Sequence, residues 1–114
     1  RDYLSPALTH LKAIDDPFQA LERIRQMDLR QKLEQAASFV NGVLTAGERR
    51  VVSLLVREGL SDQEIADRLV ISPRTVEQHL RSSYEKAVAH WELQDISRSQ
   101  LIVLLHTYYN LPGG

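Results

Sequence analysis

Polar and apolar positions along this chain recur at the helical period through most of its length. Val51, Val52, Leu54, Leu55 and Val56 fall within residues 46–58, and Ile65, Ala66 and Leu69 within 62–69. Val76, Leu80 and Ala87 line one side of 73–90, with Tyr84 and Val88 on neighbouring faces. Upstream, Phe18, Leu21, Leu29, Leu33, Ala36 and Val40 share one face of a stretch over 17–40, while Ile24 and Met27 fall off it. No long period-2 alternation and no Asn-Gly or Asp-Gly hairpin flanked by β-branched runs is present. The pattern predicts an all-α chain with helices at about 6–14, 17–40, 46–58, 62–69, 73–90 and 98–109.

Capping chemistry supports the same boundaries. Ser5-Pro6, Asp16-Pro17 and Ser72-Pro73 each pair an N-cap side chain with proline at the first helical position, where a missing N–H costs nothing. Thr45-x-x-Glu48, Ser61-x-x-Glu64 and Ser97-x-x-Gln100 read as capping boxes. Asp28-x-x-Gln31 can also start a fresh helix, which would break 17–40 near Met27. Pro112-Gly113-Gly114 cannot continue a helix.

Residues 46–90 would form three helices too short or too mixed to stand alone, so their apolar faces must meet. The last two are joined by Val70-Ile71-Ser72, a turn that lets the second project. Two helices so joined, the second rich in polar side chains, match helix-turn-helix geometry, in which the second helix enters the DNA major groove.

Composition limits this reading. A net charge of −1 gives no global attraction to nucleic acid, so any DNA contact depends on where the basic residues sit. The absence of cysteine removes disulfides, thiolate metal sites and cysteine nucleophiles. His10, His79, His90 and His106 lack metal-ligand spacing, and no catalytic motif or glycine-rich phosphate loop appears. No enzyme activity, metal or cofactor is expected. No apolar run is long enough for a membrane span, and the start lacks the character of a signal peptide.

The residues then carry a resemblance. "LTAGERRVVSLLVREGLSDQEIADRLVISPRTVEQHLRSSYEKA", residues 44–87, resembles the LuxR/NarL-type helix-turn-helix family. The shared features are L-T-x-x-E at Leu44–Glu48, G-L-S at Gly59–Ser61, E-I-A at Glu64–Ala66, I-S-x-x-T-V at Ile71–Val76, and His79. His79 in T-V-x-x-H, with the L-T-x-x-E start, argues for this family over a σ-factor region-4-like domain. "YLSPAL", residues 3–8, resembles the segment after the receiver domain of NarL-type response regulators. With no initiator Met, the chain reads as a piece of a longer one, with a receiver or sensor domain before Arg1.

The resemblance implies a compact four-helix DNA-binding domain over 44–114, preceded by an N-terminal helical extension or linker over 1–43. It implies a cytoplasmic, nucleoid-associated bacterial transcription regulator that binds double-stranded DNA as a homodimer. Contacts between copies would come from helix 98–109, with the N-terminal helices as a further surface. That helix is apolar almost all round; the alternative is that the N-terminal helices cover it within one chain.

By position in the motif, Glu77, Gln78 and Arg81 would face base edges, where Arg pairs with guanine and Gln with adenine. Arg74 and Thr75 would contact phosphate at the helix start, although Thr75 can instead close the cap with Ser72. Lys86 would reach phosphate from the far end or remain solvated. His79 reads as a packing residue or a phosphate contact, and Trp91 as a core residue.

Several departures change the picture. Glu77 replaces the Lys usual after T-V, and Gln63 replaces the Lys before E-I-A. Ser83 stands where Ile is common, and about six residues around "AHWELQ" are inserted before Ser97. The insertion predicts a longer recognition helix or a different path to the last helix. The lost positive charges keep a second function open, a helix-turn-helix-derived protein-interaction module with little DNA affinity.

Overall fold

The computed structural model describes residues 17–110, and among them every regular element is helical. They are α1 (Pro17–Arg25), α2 (Leu29–Ser38), α3 (Ala46–Glu58), α4 (Asp62–Leu69), α5 (Pro73–Trp91) and α6 (Arg98–Asn110). A π-helical turn, Phe39–Val43, continues α2. The helix expected at 6–14 lies outside the described residues. No helix among the described residues is long and apolar enough to cross a membrane.

The expected continuous helix over 17–40 is broken. Asp28 accepts from the Gln31 backbone N–H at 2.8 Å, and the Gln31 side chain accepts from the Asp28 N–H at 3.1 Å. This reciprocal box satisfies two donors that would otherwise be orphaned at a new helix start. The break resets the helical phase. Ile24, which fell off the expected face, is buried, whereas Leu29, assigned to it, is 56 % exposed.

After α2 the wider π-turn turns Phe39 and Val40 into the core, and the Leu44 N–H closes it onto the Phe39 carbonyl at 3.1 Å. The Phe39 ring lies 4.9 Å from that of Trp91 and 5.4 Å from that of His90. The residues before Ser97 thus have a clear role. They extend α5 to Trp91 and dock its end on the N-terminal helices. Arg23 donates to the Trp91 carbonyl at 3.3 Å, and the His90 imidazole meets the Gln35 carbonyl at 3.1 Å.

The core is shared by all these elements. Val51, Val52 and Leu55 of α3, Ile65 and Ala66 of α4, Val76, Leu80 and Ala87 of α5, and Leu101 and Leu105 of α6 are buried. Each large apolar side chain removed from water contributes about 1.5–3 kcal/mol before entropy is counted. Helix α6 packs on α3 and also on α2, so the N-terminal helices do cover part of its apolar circumference. Val103 nevertheless stands 73 % exposed.

Candidate nucleic-acid interface

The link between α4 and α5 follows from local chemistry. Ser61 and Glu64 form the capping box that starts α4, and the helix ends when Val70 enters the left-handed region at φ 57°. The Ile71 N–H then returns to the Ala66 carbonyl at 3.0 Å. Ser72 accepts from the Thr75 N–H at 3.1 Å, with Pro73 at the first helical position. The chain thus reverses over three residues, and α5 leaves at a fixed angle.

The inner side of α5 is apolar, satisfied within the helix, or paired. Val76, Leu80 and Ala87 are buried on its inner face. Ser83 is buried as well, and its hydroxyl donates to the His79 carbonyl at 2.7 Å, which satisfies it within the helix. An ion pair ties α5 to the rest of the fold. Lys86 Nζ lies 2.6 Å from Glu48 Oε1, and Glu48 is buried. Burial pushes the Glu48 carboxyl up, but hydrogen bonds from Lys86, Ser82 and the Thr45 backbone outweigh it and hold the group at about 2. Glu48 therefore caps α3 and ties α5 to it. Lys86 is correspondingly turned toward α3, and its ammonium is engaged there rather than free at the surface.

The opposite side of α5 is open. Arg74, Glu77, Gln78, Arg81 and Glu85 are exposed. Arg81 and Glu77 approach to 3.6 Å across one helical turn, with both side chains well solvated. Thr75 is half-buried, its hydroxyl 2.9 Å from that of Ser72, so it is engaged in the cap as the sequence allowed. Of the six residues assigned to DNA from the sequence, Arg74, Glu77, Gln78 and Arg81 share the outer surface. Thr75 sits at its start, and Lys86 lies apart.

Arg50 is a basic residue that the sequence motif does not single out. It is exposed on α3 and lines a hollow of about 300 Å³ with Gly47, Arg68, Leu69, Ile71 and His79. Arg68 is held by a forked pair to Glu58 at 3.1 and 3.2 Å, which raises its pKa. In the sequence Arg50 is one half of an Arg49-Arg50 doublet. Arg49 turns inward to the Val40 and Leu44 carbonyls, and Arg50 does not. The His79 ring rests on Gly47, where an added Cβ would lie 2.9 Å from Cε1. Its role in the fold is thus packing against the start of α3.

Residues 42–104 match the family model described as bacterial regulatory proteins, luxR family, more than half of the chain. Over 45 residues the chain is 58 % identical to proteins provisionally named HTH-type transcriptional regulators. They come from Mycobacterium bovis (strain ATCC BAA-935 / AF2122/97) and from Mycobacterium tuberculosis strains CDC 1551 / Oshkosh and H37Rv. The aligned part is 40 % of this chain and 5 % of each relative, so the chain spans only a small fraction of the curated relatives it matches. No solved structure matches it significantly.

Proposed function

Because the chain belongs to the luxR family of bacterial regulatory proteins, we propose that it is the sequence-specific DNA-binding part of a transcription regulator. Helix α5 enters the major groove. Gln78, Arg81 and Glu77 meet base edges, and Arg74, with Thr75 at the helix start, meets phosphate. The observation that carries this reading is the division of α5 into two sides. Its apolar side and Lys86 are bound into the core, and its outer polar side is held clear of the molecule. A helix fixed in this way loses little freedom on docking. Arg50, near the start of α5, adds a positive group that can meet the flanking backbone.

Dimerisation through α6 belongs to the same proposal, with the exposed Val103 at the contact and the N-terminal helices beside it. A receiver or sensor domain in the same polypeptide would supply the input signal. The reading of 1–43 as an extension and 44–114 as the binding domain is kept, with the extension also serving as a packing partner through Phe39.

Selection of binding sites from random duplex DNA by the purified chain tests this function. Enrichment of a defined site, with affinity that falls steeply as salt rises, is the expected result. Failure to enrich any sequence, or binding indifferent to salt, would favour the protein-interaction alternative.

A further inference from the structure

The outer surface of α5 carries Arg74, Glu77, Arg81 and Glu85 at spacings of three, four and four residues. All four are exposed, so charge alternates along the stripe that would face DNA and sums to zero there. Beyond the phosphate contact of Arg74 at its start, the rest of the stripe supplies little sequence-independent attraction to the DNA backbone. Its value must lie elsewhere, in where each sign sits.

The central pair is Glu77 and Arg81, 3.6 Å apart. A guanidinium donates to the O6 and N7 acceptors of guanine, and a carboxylate accepts from the N4 amino group of cytosine. A G·C pair presents both kinds of group in the major groove. Two residues one helical turn apart, already in contact, present the complementary order of donors and acceptor within about 6 Å along the helix.

We propose that Glu77 is a specificity-determining residue that reads a cytosine within one base step of the guanine read by Arg81. This rests on the DNA-binding function proposed above. Glu77 contributes discrimination rather than affinity. Opposite any base offering an acceptor at that point, its carboxylate stays unpaired and repelled. Opposite phosphate it is repelled as well, which penalises misplaced registers.

Parallel selections from random duplex DNA by the native chain and by Glu77→Gln, at one salt concentration, test this. The native chain is expected to enrich sites with adjacent guanine and cytosine. Glu77→Gln should keep the guanine and lose roughly tenfold in cytosine preference, on the scale of one base contact. Identical preferences in both proteins would overturn the inference while leaving the DNA-binding function intact. Loss of both preferences in a folded variant would overturn it too, because Glu77 would then act only by holding Arg81. Enrichment of nothing by the native chain would overturn the underlying function and the inference with it.

Discussion

Lys86 of α5 and Glu48 of α3 meet at 2.6 Å, and this contact holds the Lys86 ammonium away from the exposed polar side of α5. A buried carboxylate left without its partner is costly, so breaking the pair from one side is worse than replacing both residues. Lys86→Met should destabilise the fold by about 3 kcal/mol, and Glu48→Leu combined with Lys86→Met should recover much of that. Chemical denaturation of the two variants measures the difference.

The same pair sets a pH dependence. The folded Glu48 carboxyl titrates at about 2 against an ordinary value of 4.5. A depressed carboxyl contributes stability in full above 4.5 and loses it as pH falls toward 2. The contribution is about 3 kcal/mol at its largest. Stability measured from pH 6 down to pH 2 should therefore fall less steeply in Glu48→Gln than in the native chain. Parallel curves would place the acid sensitivity elsewhere.

Val70 occupies the left-handed region at φ 57° and is 89 % exposed. A β-branched residue gains nothing there from packing and carries a backbone cost of about 1–2 kcal/mol. Val70→Asn is expected to raise stability by roughly 0.5–1 kcal/mol, since Asn tolerates this conformation. A thermal melt that moves down instead would mean that the valine side chain makes a compensating contact.

Gly47 and His79 are predicted to be coupled. Alanine at a helical position is favoured over glycine by roughly 1 kcal/mol. At Gly47 the added methyl would lie 2.9 Å from the imidazole and force it aside. Gly47→Ala should therefore stabilise the chain clearly in a His79→Ala background and little or not at all in the native one. A double-mutant cycle reads this directly, and a coupling near zero would show that the ring moves freely.

Much of this architecture was legible because it is local. The boxes at Thr45, Ser61 and Ser97 and the proline-started cap at Ser72 lie within four residues of their partners, and each forms as read. The break after α1 was legible only as an option, because Asp28 and Gln31 can cap a start whose necessity depends on packing elsewhere. Lys86 was not legible. Its partner lies 38 residues away, and a lysine facing a buried carboxylate looks in sequence like one facing solvent. Trp91 was readable as a core residue, but the ring it packs on, Phe39, lies three helices earlier, in the π-helical turn. The exposed side of α5 followed from the periodicity; which base each side chain meets did not, since that depends on the docked duplex.

Helix α6 gives a separate test of assembly. Its inner residues Leu101 and Leu105 are buried within the chain, so altering them would confuse folding with association. Val103 is exposed and avoids that problem. Val103→Asp should leave the helical spectrum unchanged and lower the sedimentation mass at high concentration, if this surface joins two copies. An unchanged mass in the folded variant would remove α6 from the dimer contact.

Arg74 and Arg81 should fail in different ways. Both are exposed on α5, but Arg74 stands in its first turn and Arg81 near its middle, beside Glu77. A phosphate contact gives affinity without sequence information, whereas a base contact gives both. Arg74→Ala should weaken selected and unrelated duplexes about equally and make the dependence of log affinity on log salt shallower by about one. Arg81→Ala should cost about 1–3 kcal/mol on the selected site and flatten preference at one guanine. Fluorescence anisotropy titrations at several salt concentrations, on the selected duplex and on copies altered at single positions, separate the two. Equal slopes and equal base preferences in both variants would contradict the assignment of either residue.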